Sequence, residues 1–287
     1  MTWNLWWRFG AWEARLGAIE AVIRAEDPDV LCLLEVWSAD GTSSAHLLAE
    51  ALGMHAALTD DAFPEQRAVS GRPGFHNATL SRWPLDEVAS HALPRRDGTP
   101  GHRRALTAVV RTPFGPWPVV TTHLDHRFDD SEARQLQCAA LLHLVAAVRG
   151  EPDTALPTIV AGDLNAVSDS DEVRLLTGRR AGPVRNLVLT DCWEMVGAGP
   201  DGDGRTSGPG SGATWRHDNP YQASTAWPDR RLDYVFVSWP RPKPVGNPRR
   251  AWLAGLTAID GVHPSDHAAV VVELVTPAIE GEPEAGG

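Results

Sequence analysis

Asp163 and Asn165 close a short apolar run, Thr158 to Ala161, in the segment TIVAGDLNAVSDSDE at 158–172. Alternate residues of an extended chain share a face. This spacing therefore predicts a carboxylate and an amide side by side at the carboxyl end of a buried strand. Alone, Gly-Asp-x-Asn also describes ordinary turns. It gains weight because other apolar runs carry similar residues at their ends. Asn4 lies in the first run, Glu35 follows VLCLL, and His123 ends PVVTT. Asp233 sits in RRLDYVFV, while Ser265, Asp266 and His267 open SDHAAVVVELV. Singly, each reads as a turn cap, an exposed strand end, a satisfied core histidine or a surface ion pair. Together, so many polar groups beside apolar strands are costly unless they are paired, metal-bound or set in a cleft.

The residue types point to one chemistry. Glu35 and Asp266 offer hard oxygen ligands, which suit Mg²⁺ or Mn²⁺. Mg²⁺ typically takes one or two carboxylates, keeps several waters and binds substrate phosphate. Zinc is disfavoured, because no pair of His or Cys has zinc-ligand spacing. Beside a metal, Asp163 could orient or deprotonate an attacking water, and Asn165 could hold phosphate or nucleophile. A histidine paired to a carboxylate stabilises charge on a transferring phosphoryl group, and His267 with Asp233 are the candidates.

These residues need elements to hold them. Strands are expected at 2–6, 30–34 (ending at Glu35), 75–81, 104–111, 117–123, 158–162, 213–216, 232–238, 251–259 and 267–275. Helical spacing marks 11–26, 42–52, 131–149 and 171–177. In 131–149 the apolar stripe reads as Leu136, Leu141, Leu144, Val145 and Val148. Strands and helices mix without strict alternation. That disfavours a barrel of alternating units and favours two packed sheets with helices outside. Residues 197–213 read as an internal Gly/Pro/Ser-rich loop, either plain surface or a lid beside the site. The segment 278–287 reads as a disordered tail, and 1–277 as one domain.

The chain has 287 residues, 43% of them hydrophobic, with a net charge of −11. That charge argues against a protein that grips nucleic acid by a basic face, without excluding a nucleic-acid substrate. His102, Arg103 and Arg104 could add positive charge near a cleft, but read first as a solvated loop and strand start. Three cysteines, Cys32, Cys138 and Cys192, lack metal spacing and read as buried thiols in a reducing compartment. No apolar run reaches membrane-span length and no leader is evident, so a cytoplasmic monomer is expected.

The segments TWNLWW, VLCLLEVW, NATLSRWPL, TTHLDHR, IVAGDLNAVSDSDE, ATWRHDNP, RRLDYVFVS and HPSDHAAVV occur in order across about 2–275. On them the chain resembles the endonuclease/exonuclease/phosphatase superfamily, which includes DNase I-like nucleases and several phosphatases. The resemblance implies a four-layer α/β/β/α sandwich of two mixed or antiparallel sheets, with the site at one end. It implies a divalent-metal-dependent phosphoester hydrolase, with Mg²⁺ or Mn²⁺ as cofactor and a phosphoester, nucleic acid or small phosphorylated molecule, as substrate. Carried across, Asn4 looks like the first-strand Asn and Glu35 like the main metal ligand. Asp163 and Asn165 look like the water-activating and phosphate-contacting pair. Asp233 would orient His267, which would stabilise the phosphate, and Asp266 would be a metal-side ligand. His123 would be a second phosphate-facing histidine, and Asn77 would line the site.

The usual Gln before the metal-binding Glu is Leu34 here. Neither the DNA-gripping insertions of apurinic endonucleases nor the phosphoinositide-reading motifs of 5-phosphatases are evident. Nuclease and small-molecule phosphoesterase remain open, and a non-catalytic scaffold of the same fold is the alternative. A calcium loop in DLNAVSDSDE lacks the central Gly and the required spacing. There Asp169, Asp171 and Glu172 also read as a capped helix start.

Overall fold

A computed structural model describes residues 1–196 and 212–278 of the chain. The elements run β1 (Thr2–Asn4), α1 (Trp12–Glu26), β2 (Val30–Ala39), β3 (Thr42–Ser43), α2 (Ser44–Leu52), β4 (His55–Leu58), α3 (Pro64–Ser70), β5 (Gly74–Ser81), β6 (Leu85–Pro94) and β7 (Pro100–Thr112). They continue with β8 (Gly115–His123), α4 (Ser131–Val148), β9 (Ile159–Asp163), α5 (Asp171–Leu176), β10 (Val188–Asp191), α6 (Cys192–Val196), β11 (Asp233–Trp239), β12 (Pro248–Ala254) and β13 (Ala269–Leu274). Sheet A has seven strands in the order β12-β13-β1-β2-β5-β4, with β3 beside β2. Sheet B has six, in the order β10-β11-β9-β8-β7-β6.

Period-2 alternation builds the layers. In β2, Leu31 and Leu33 pack toward α1 and α2 with Ile19, Ile23 and Leu48. Cys32 between them points the other way, into a core shared with Val119, Ala161 and Val270 from both sheets. On the far side of sheet B, Leu141, Val145, Val173 and Leu176 of α4 and α5 cover Val120, Val160 and Phe236. The result is the expected helix–sheet–sheet–helix sandwich.

Helix ends follow local chemistry. Ser43 caps α2 by accepting from the His46 N–H, and Gly53 closes it in the left-handed region. Asp130 caps α4 by accepting from Ala133 N. Ser170 caps α5 by accepting from Val173 N, and Asp171 and Glu172 lie in its first turn, the capped-helix reading of that run. Glu172 then accepts from buried Arg134 at 2.8 Å.

Several expectations change. β1 stops at Asn4, because Trp6 and Trp7 take positive φ. β2 runs on past Glu35 to Ala39. The stripe of α4 turns on Arg134, Gln137, Cys138, Leu141, Leu142 and Val145, and Leu136 faces solvent. Residues 213–216 form no strand, and Trp215 makes only isolated bridges to Arg230 and His267. The expected loop lies outside the described residues from 197 to 211, as does the expected tail beyond 278. The three cysteines are unpaired and buried. No helix among the described residues is long and apolar enough to cross a membrane.

Candidate active site

Strand register gathers the polar residues at one end of the sandwich. In sheet B, Asp163 pairs with His123 of parallel β8 on one side and with Asp233 of antiparallel β11 on the other. In sheet A, Asn4 pairs with Leu34, the residue before Glu35, and Thr2 pairs with Val270, just beyond His267. Gly162 makes the first arrangement possible. A Cβ there would lie 1.8 Å from the carbonyl oxygen of Thr122, so only glycine lets β8 and β9 run this close.

Asp163 is the hub. Its Oδ2 accepts from Asn4 Nδ2 across the sheets at 3.1 Å and lies 3.4 Å from His123 Nε2. Its Oδ1 accepts from the Asn165 backbone N–H at 2.8 Å. Asp163 and Asn165 are therefore neighbours, but through a turn and not along an extended face: β9 ends at Asp163 and Asn165 has φ +49°. Asn165 Nδ2 donates to Leu124 O at 3.1 Å and lies 3.1 Å from His123 Nε2.

A bulge delivers Glu35. The β2–β5 register shifts between Leu33 and Val36, and Glu35 takes φ +54°. The extra residue re-aims the side chain into the cleft, where Asn4 Nδ2 donates to Oε1 at 3.3 Å. Leu34, in the place of the family's usual Gln, is fully buried.

His267 Nδ1 and Asp233 Oδ2 are 2.8 Å apart, which leaves Nε2 for the cleft. Thr214 Oγ1 accepts from the backbone N–H of Asp233, and Trp3 Nε1 donates to His267 O at 2.8 Å, so both partners are held in place. Asp266 stands a step back from the cleft lining. Its Oδ2 accepts from Gln222 Nε2 at 2.8 Å. Ser265 Oγ donates to Asn4 O at 2.6 Å and lies 3.4 Å from Asp266 Oδ1. Asn77 does not join the group: its amide donates to Arg104 O at 2.7 Å, tying β5 to β7. His102, Arg103 and Arg104 lie within β7 and not in a loop.

Two arginines complete the site: Arg15, which the sequence did not single out, and Arg103, which it offered only as positive charge near a cleft. Arg15, 1% exposed, donates to carbonyls of Leu5, Trp6, Trp7, Phe9 and Pro264, and so shapes the segment after β1. Arg103 is half-buried at the cleft. Its Nη1 donates to His123 Nδ1 at 3.0 Å and its Nη2 to His126 Nδ1 at 3.1 Å. Guanidinium only donates, so His123 Nδ1 is the acceptor and the neutral ring carries its proton on Nε2, facing Asp163. β7–β8 register, invisible in the chain, makes this contact.

Charge is concentrated where the strands converge. Burial, then repulsion from Asp233, pushes Asp163 up to about 6. Burial, with the nearby Glu35 charge, pushes Asp266 up to about 6. Burial raises Glu35 also. Burial and the Arg103 charge hold His123 well below its usual value, and thus neutral. Burial opposes an imidazolium at His267, but Asp233 and Asp266 outweigh it and hold the ring protonated well above the ordinary range. These groups face an open cleft of about 740 Å³ whose walls include Asn4, Glu35, His123, Asp163, Asn165 and His267. A second hollow of about 280 Å³ lies elsewhere between the sheets, lined mainly by apolar residues such as Val110, Trp117 and Val235. It contains none of this chemistry.

Ligand atoms of Asp163, Asp233 and His267 lie within 4.8 Å of one another, close enough to hold a metal ion. A proton already occupies the short contact between Asp233 and His267, whereas among the described residues Glu35 accepts one long side-chain hydrogen bond, from Asn4 Nδ2. Buried carboxyls raised toward neutrality, with Arg103 and the His267 imidazolium as their neighbouring cations, are an oxygen donor set that a divalent ion fits.

The sequence model of the Endonuclease/Exonuclease/phosphatase family matches residues 1–267. No curated protein matches the chain. Among solved structures, an endonuclease/exonuclease/phosphatase from Beutenbergia cavernae is 24% identical with a TM-score of 0.65, over 96% of this chain and 70% of that one. The human Nocturnin catalytic domain with bound sulfate is 23% identical with a TM-score of 0.69, over 96% and 92%. D. rerio TDP2 complexed with single strand DNA product is 20% identical with a TM-score of 0.70, over 96% and 97%. With a match running over nearly its whole length, the chain belongs to the endonuclease/exonuclease/phosphatase family.

Proposed function

We propose that the protein is a divalent-metal-dependent phosphoester hydrolase, acting as one domain, in which water attacks phosphorus in line with the leaving oxygen. One observation carries this reading: Asp163 is braced by Asn4, Asn165 and His123 beside the Asp233–His267 pair, at the edge of an open cleft. A carboxyl near 6 is ionised at neutral pH and is still basic enough to orient a water and take its proton. The protonated His267, held by Asp233, directs Nε2–H to a phosphoryl oxygen as charge builds there. Asn165 and the Nε2–H of His123 supply further donors. Glu35, with Asn4 beside it and Asp266 behind, would hold Mg²⁺ or Mn²⁺. When bound, the ion supplies Lewis-acid neutralisation of phosphate charge. The bound sulfate of Nocturnin and the DNA product of TDP2 are both anions of the expected kind on this fold.

The test is hydrolysis of bis(p-nitrophenyl) phosphate with Mg²⁺, stopped by EDTA and restored by added ion. Asp163→Ala and His267→Ala should each lower kcat by roughly 10²–10⁴-fold while the circular dichroism spectrum persists. Turnover that survives either substitution at wild-type level sinks the assigned roles.

A further inference from the structure

Two groups, one adjoining the cleft through its chain neighbours and one lining it, are not needed for phosphoester chemistry, and both have the same composition. Phe128 and Trp227 stack at 4.6 Å and 20°, yet remain 55% and 43% exposed. The Arg230 guanidinium lies 4.9 Å and 5.0 Å from their ring centres. Among the described residues Arg230 has no carboxylate partner. Phe128 belongs to the β8–α4 segment whose neighbours Asp125, His126, Arg127 and Asp130 line the cleft. Arg230 is bridged through Trp215 to His267. The second group is carried by loops of sheet A. Arg72 lies 5.6 Å and 4.6 Å from the rings of Trp7 and Phe63, all three lining the cleft, and its Nε and Nη2 have no hydrogen-bond partner.

The exposed ring pair is a flat apolar platform with a guanidinium at its edge. A flat ring covers it best, and an arginine without a carboxylate beside it suits the phosphate joined to that ring. We propose that Phe128, Trp227 and Arg230 form a base-stacking subsite for single-stranded nucleic acid, with Arg72, Trp7 and Phe63 holding the strand on the opposite sheet's rim. This rests on the phosphoester hydrolase reading of the same cleft. Stacking is open to a base in a single strand and denied to one inside a duplex. The net charge of −11 fits the same choice, since duplex grip relies more on a broad basic face and stacking relies on rings. A lipid head group has no ring to stack.

Fluorescence anisotropy in EDTA tests this, with full-length protein and a fluorescein-labelled oligothymidylate of twelve nucleotides. Binding is expected to weaken with added salt and to exceed binding to the matching duplex. The Phe128→Ala/Trp227→Ala double variant should lose affinity about tenfold or more, and Phe128→Tyr/Trp227→Phe should retain it. Arg230→Gln should weaken binding, with partial return in Arg230→Lys. Both rings are on the surface, so unchanged melting temperatures separate loss of binding from loss of fold. Wild-type affinity in the double variant overturns the subsite, as does binding of phosphatidylserine or sphingomyelin vesicles with none of the oligonucleotide. The same preparation, assayed on bis(p-nitrophenyl) phosphate with Mg²⁺, reports on the hydrolase reading separately.

Discussion

Asp163 is ionised at neutral pH against the preference of its surroundings. Burial raises its pKa from 3.8 to about 6, so the folded state favours the protonated form. A raised carboxyl pKa destabilises the fold progressively as pH climbs from 3.8 through 6, by on the order of 3 kcal/mol once both states are ionised. Asparagine imitates the protonated form. In EDTA, Asp163→Asn is therefore expected to melt a few degrees above wild type at pH 7.5, with the gap closing toward pH 4.5. A gap that is equal at both pH values would contradict the burial argument. His123 has the opposite sign, since its lowered pKa makes it costly below pH 6.5, which is why the variant difference is the better observable. Arg103 determines which nitrogen of His123 carries the proton. With Arg103→Met, ¹⁵N NMR should show the Nε2–H tautomer giving way to a mixture and the His123 pKa rising. kcat should fall roughly tenfold or more, because Asp163 loses a fixed donor.

At the scale of elements, the site depends on two backbone irregularities. Gly162 lets β8 and β9 approach, and the Glu35 bulge turns a side chain that would otherwise follow the pleat. Gly162→Ala places a methyl group against the Thr122 backbone, which no side-chain rotation can relieve. It should cost roughly 3 kcal/mol or more, seen as a large fall in melting temperature or as insoluble protein. Wild-type stability in that variant would mean that β8 and β9 can separate without loss. GDLN was legible in the sequence as polar residues after a strand. Its geometry was not, because Asn165 reaches the site through a left-handed turn and not by strand alternation.

At the scale of the whole molecule, two sheets bring together Glu35, Asp163, Asp233 and Asp266, and burial raises three of these carboxyls despite the neighbouring His267 and Arg103. Mg²⁺ bound there should raise the melting temperature of EDTA-treated protein. At a hundredfold excess over Kd the stabilisation is ~2.7 kcal/mol, a shift of several degrees. The shift should be larger at pH 8 than at pH 5, because protons compete for carboxyls raised toward 6. Calorimetric scans at both pH values measure it, and an ion that leaves both transitions unmoved argues against a site at Glu35.

The sequence by itself determined the apolar strands at the centre of both sheets, such as β2, β8, β9 and β11, and the polar residues carried on or beside them. Apolar runs such as VLCLL and TIVAG are buried on both faces wherever they pack, and that depends on composition and period alone. It also contained, in GDLN, LDYVF and SDH taken in order, enough to recognise the family and its four layers. Short or amphipathic pieces such as β4, β6 and β10 were missed, because their pairing comes from neighbours and not from local pattern. Only the tertiary structure decided that Arg103 grips His123, that Asn77 serves the frame and not the cleft, and that Phe128 and Trp227 stack. Those contacts join residues 20, 27 and 99 positions apart across register and loop closure. No local preference of the chain encodes them: β7–β8 register sets the first, the packing of sheet A on sheet B the second, and the meeting of two distant loops the third.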